Sequence, residues 1–161
     1  MIPFKIPLRV PRQELMAFVR QKKSSDRPRY VNGRAYYAQG LWFNKAEEDT
    51  IAGMYVPFHQ GPSYGKNANA SAGIVYQFRG KLIEQHGEWF FRGWIVPDMV
   101  PVLGILAFLA FSVSIMNKNL IAAAIVAALG LAVAVLIGRQ IYNCRSALVG
   151  LASGNRTDPE K

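Results

Sequence analysis

Two stretches decide the architecture: MVPVLGILAFLAFSVSIM, Met99–Met116, and LIAAAIVAALGLAVAVLIG, Leu120–Gly138. Neither interior carries a charge, and only Asn117, Lys118 and Asn119 separate them. At about 1.5 Å rise per residue each reaches about 28 Å as a helix, near the hydrocarbon thickness of a bilayer. Backbone amides in lipid must be satisfied within their own segment, so both stretches read as helices. The short connector forces them antiparallel, which predicts a two-helix transmembrane hairpin. Pro101 falls in the first turn of the first helix, where its missing amide does no harm. Ser112 and Ser114 are the polar residues inside the spans, too few for a wide aqueous pore.

Working outward, the chain divides into residues 1–96, a small domain; 97–139, the hairpin; and 140–161, a tail. The chain has 161 residues and a net charge of +9, with hydrophobic residues at 51%. That fraction is barely above the soluble average, so the membrane signal is concentrated. Arg79, Lys81, Arg92, Arg139 and Arg145 flank the spans on one side and Lys118 on the other. The positive-inside rule then puts both termini in the cytosol and the Asn117–Asn119 loop outside. The expected location is an integral position in a membrane such as the bacterial inner membrane. Topology bias is the plain reading of the excess cations, with anionic headgroup contact as the sharper one. Nucleic acid is not expected as a partner, because no basic helix with base-reading residues and no recognised motif is present.

Upstream, Ile2–Arg9 is broken by Pro3 and Pro7 and suits an edge strand. With three prolines and no long apolar run, Met1–Pro11 does not read as a secretory signal. Pro11 suits the first position of an amphipathic helix reaching about Lys23, with Leu15, Met16, Phe18 and Val19 on one face. Lys22 and Lys23 lie at its C-terminal end, where cations suit the helix dipole. Tyr30–Phe43 reads as one bent strand or two short ones turning at Asn32-Gly33. Lys45–Asp49 reads as a polar turn and Thr50–Phe58 as a strand, followed by a long loop over 60–72. Residues 74–95 alternate apolar and polar around His86-Gly87, the pattern of an antiparallel pair with one buried face. Gly80 and Gly93 mark a bulge or the crossing of a bulky neighbour. The fold class is therefore α+β: a small antiparallel sheet with one amphipathic helix, followed by the transmembrane hairpin. Beyond the hairpin, Ile141, Leu148 and Leu151 keep helical spacing, extending the second helix into the cytosol. Ala152–Lys161 is expected to fray.

Three sets of residues stand out as candidate contacts. Ala124, Ala128 and Ala132, with Gly130, Ala134 and Gly138, repeat every four residues on the second span and permit close helix packing. The first span is their nearest user, with a second copy or another subunit as the alternative. Lys22, Lys23, Arg27, Arg29, Trp94 and Arg139 are candidates for the membrane surface. Asp98, between Pro97 and Pro101, is placed to cap the first span.

Catalytic groups are not apparent. His59 and His86 stand apart, and with one cysteine a metal site would need distant carboxylates. Glu47-Glu48-Asp49 reads as a solvated turn, and Ser63 between Gly61 and Gly65 lacks the spacing of a nucleophile elbow. Cys144 cannot form an intrachain disulfide, and a reduced thiol is its plainest state, palmitoylation the alternative. Asn69 and Asn155 begin glycosylation triplets that this topology keeps cytosolic. No catalytic residue, metal or cofactor is therefore expected. Three functions compete: a non-catalytic subunit anchoring a larger membrane complex; a channel-like or membrane-perturbing homo-oligomer regulated by its soluble domain; and an interfacial lipid enzyme. Membrane lipids, other membrane subunits or further copies of the chain are the expected partners.

Overall fold

The computed structural model describes residues 1–31, 34–57, 75–97, 99–116 and 119–155. The fold is α+β. In chain order it comprises β1 (Ile2–Pro7), α1 (Arg12–Ser25), β2 (Arg29–Val31), β3 (Arg34–Tyr36), β4 (Gly40–Glu47) and β5 (Thr50–Val56). These are followed by β6 (Tyr76–Gln85), β7 (Glu88–Val96), α2 (Met99–Met116) and α3 (Leu120–Ala152). Five strands form one antiparallel sheet in the order β1-β7-β6-β5-β4, and β2 pairs with β3 separately. The 30–43 stretch, read as one bent strand or two short ones, contains two short strands and the start of a third. The turn between β2 and β3 lies outside the described residues, as do the 60–72 loop and Asp98.

Alternation in β6 and β7 produces the sheet. Tyr76, Phe78 and Leu82 are buried, as are Phe91 and Ile95, while Gln77, Arg79, Lys81, Arg92 and Trp94 face outward. His86 (φ 54°) and Gly87 (φ 80°) supply the left-handed pair that a two-residue hairpin turn requires. Gly80 lies opposite Gly93. A Cβ on Gly80 would come within 2.5 Å of the Phe91 ring, so the aromatic occupies the space the glycine leaves. β4 continues through Lys45, with a bulge between Phe43 and Lys45, and the polar turn narrows to Glu48 and Asp49. The bulge shifts side-chain alternation, which is how Phe43 and Ala46 both reach the core.

One face of the sheet is covered by two helices. α1 contributes Leu15, Met16 and Val19, with Pro11 immediately before its first turn. Arg12 bridges to Asp49 at 2.5 Å and lies over the Trp89 ring. The second cover comes from the C-terminal half of α3. Cys144, Leu148, Leu151 and Ala152 belong to the same core as Phe4, Ile6, Phe78 and Phe91. The segment beginning at residue 140, anticipated as a tail, is therefore an integral layer of the domain through Ala152. Its end does not fray at once. The Arg9 amide donates to the Ala152 carbonyl at 2.9 Å, and Asn155 donates to Gly150 at 3.0 Å.

α2 and α3 pack antiparallel. Gly130 faces Phe108, and the Ser112 hydroxyl donates to the Ala123 carbonyl at 2.8 Å. Asn119 caps α3, its side chain accepting from the Ala122 amide at 3.0 Å. The antiparallel register sets Met99 about level with Arg139. From there α3 descends about 20 Å to Ala152. β7 covers the same distance between Val96 and Phe90, about 20 Å. Leu8 bonds to Trp89 and Arg9 to Ala152, so strand and helix begin and finish together. β7 and the end of α3 thus reach the same end of the domain, at Leu8 and Arg9.

Candidate interaction surface

With 33 residues, α3 is long and apolar enough to cross a membrane. The described apolar part of α2, Val102–Met116, is shorter. Along α3 the buried positions are Ala123, Gly130, Ile137, Cys144 and Leu151, with Leu148 and Ala152 beside them. Their seven-residue spacing keeps one stripe aligned with its partners down the whole helix. The upper part of this stripe meets α2 and the lower part meets the sheet, so a single seam joins the two halves of the molecule.

That stripe differs from the small-residue faces singled out in the sequence. Gly130 is on it, and a Cβ there would approach the Phe108 Cβ to 3.3 Å. Ala134 is half-buried. Ala124, Ala128, Ala132 and Gly138 are exposed, and a Cβ on Gly138 would meet nothing within 4 Å. The difference has a geometric cause. A four-residue repeat drifts around a helix of 3.6 residues per turn, whereas a seven-residue repeat returns almost to the same side. The exposed remainder of both helices is apolar: Leu103, Leu106, Phe111 and Val113 on α2, Ile121, Ile125, Leu131 and Val135 on α3. Such an extended surface marks contact with lipid or protein.

The candidate membrane-surface residues separate. Trp94, near the end of β7, is 51% exposed. Arg139 is exposed at the level where α2 begins. The end of α1 lies elsewhere. Lys22 pairs with Asp26 at 3.0 Å, and Lys23 is near enough to Glu47 to lower its carboxyl pKa, behind the larger effect of Lys45. Glu47 shares a cross-strand row with Thr50, Lys81 and Arg92, four residues short of the end of β7. That row is about 13 Å down the strands from the end of β7. Arg27 is exposed, and Arg29 opens β2.

The outward face of the sheet holds residues that the linear sequence did not group. Register sets Lys5, Arg92 and Lys81 directly opposite one another across β1, β7 and β6. The adjacent row is Pro3, Trp94, Arg79 and Ala52. Lys5 donates to Gln85 at 2.6 Å and rests 4.1 Å above the Phe90 ring. Among the described residues, no ion pair involves Arg79, Lys81 or Arg92. Lys45 and Glu47 pair with each other at 2.9 Å.

Among the described residues no group of three His, Cys, Asp or Glu side chains converges as a metal site would require. The Cys144 thiol is fully buried in the core. Comparison with protein-family models, with curated proteins and with solved structures finds no match.

Proposed function

We propose that this chain is a non-catalytic integral membrane subunit that anchors or stabilises a larger complex. In this reading α2 and α3 cross the bilayer as a hairpin, both termini are cytosolic, and the sheet stands against the inner surface. The observation that carries it is the two-part character of α3. Its first half exposes apolar side chains on every side not covered by α2, and its second half is built into the core of a folded domain. A membrane helix rigidly continuous with a soluble sheet holds that sheet at fixed height and orientation, which suits a scaffold. The cation asymmetry around the spans supports the orientation. Ala124, Ala128 and Ala132 leave an outer face on α3 that another helix could approach closely. The channel-like homo-oligomer is the second reading, favoured by that same face.

The test is extraction of native membranes in mild detergent followed by measurement of composition and stoichiometry. Distinct proteins at fixed ratio with this chain are the expected result. A pure homo-oligomer would transfer support to the second reading, and a lone monomer would remove both.

A further inference from the structure

We propose that the outward face of the five-stranded sheet docks on an acidic face of another protein in the complex, through Lys5, Arg79, Lys81 and Arg92 around Trp94. This deepens the subunit reading and rests on it. The starting observation is the arrangement of charge. Like charges directly opposite on neighbouring strands destabilise a sheet. Here Arg92 has a cation on both sides, Lys5 across β1 and Lys81 across β6. The described acids of this face do not relieve them. Glu47 is engaged by Lys45, and Glu88 lies opposite Gln85 at the far end of the hairpin. A row of cations that opposes folding is accounted for by a partner that neutralises it. Trp94 supplies an exposed apolar anchor beside Arg79, and tryptophan and arginine together are the residues that dominate binding at protein interfaces.

The fold decides which polyanion fits. The second half of α3 covers the opposite face and ends with β7 at Leu8 and Arg9, so a membrane crossed by the first half of that helix lies toward the other end of the sheet, and this face looks sideways. The Lys5–Arg92–Lys81 row is about 13 Å from the end of β7. That exceeds the Debye length of about 8–10 Å, so headgroups of the same bilayer attract this three-cation row only weakly, while the Trp94–Arg79 row lies about 7 Å from that end. A single-stranded nucleic acid would need successive ring faces for stacking. Phe90 is covered by Lys5, and Trp42 is edge-on to Tyr37 with its indole N–H given to Ala38. A flat basic surface with one free indole matches an acidic protein face better than either.

The experiment uses the full chain in its native membranes. A photoreactive benzoylphenylalanine replaces Gln77, which is exposed in the row next to Arg79, and in a second strain it replaces Ala128 on the outer side of α3. Adducts are mapped by mass spectrometry. The Gln77 adduct should fall on an acidic segment of another protein. Arg79→Glu with Arg92→Glu should cut its yield at least tenfold, and lysines in the crosslinked acidic segment should restore it. Purified Arg92→Gln protein should unfold at the same temperature as the parent or higher, which separates lost docking from lost folding. Adducts to nucleic acid, to lipid or to a neutral segment would overturn the proposal, as would insensitivity to charge reversal. A partner crosslinked from Ala128 with none from Gln77 would overturn this face alone and leave the subunit reading intact. No protein adduct from either position would remove both.

Discussion

Replacing Leu148 by alanine should loosen the whole sheet, although the residue lies far beyond it in the sequence. Leu148 has no solvent exposure and belongs to the core containing Phe4, Phe78 and Phe91. The substitution removes three carbon groups at about 0.8 kcal/mol each, or about 2.4 kcal/mol of transfer energy. The unfilled space adds a cavity cost, bringing the total to about 3–4 kcal/mol. Hydrogen–deuterium exchange of β1, β6 and β7 in detergent reads this directly. Where exchange proceeds through opening of the core, about 3 kcal/mol corresponds to exchange faster by about a hundredfold. The neighbouring Val149 is 45% exposed, and Val149→Ala should stay within about 0.5 kcal/mol. If Leu148→Ala exchanges within threefold of the parent, the end of α3 does not hold the sheet, and the layered core described above is wrong.

Gly130→Leu should cost about 1–3 kcal/mol, because even a Cβ there reaches 3.3 Å from Phe108 and the remaining carbons force α2 away. Gly138→Leu, with nothing in reach, should be neutral or slightly stabilising through helix propensity; thermal midpoints in detergent compare the two, and equal losses would refute the assigned seam. Burial raises the Tyr55 phenol above its ordinary value of 10, with the nearby Cys144 thiol adding to the shift. Its contribution to stability is therefore complete below about pH 10 and is lost as pH climbs through the raised value. Unfolding followed from pH 8 to 11.5 should show this alkaline decline, and Tyr55→Phe should flatten it.

The unaided sequence determined much of this protein through local patterns. Period-two alternation marked β6 and β7, the apolar runs marked α2 and the first half of α3, and His86-Gly87 marked their turn type. These signals are local because neighbouring side chains report which face of one element is buried. The seven-residue stripe of Ala123, Gly130, Ile137, Cys144 and Leu151 was also written in the chain. Its meaning was obscured by the more conspicuous four-residue spacing of small residues, which marks where a helix could be approached and not which side is. Only the tertiary structure decided that Gln140–Ala152 is a core layer. Its apolar residues, interrupted by Gln140, Asn143 and Arg145, gain their burial from a sheet whose strands lie up to about 140 residues earlier. The cationic face was likewise invisible in the linear order. Lys5, Lys81 and Arg92 become neighbours only when strand register aligns them, and register depends on the pairing of separate segments around one shared core.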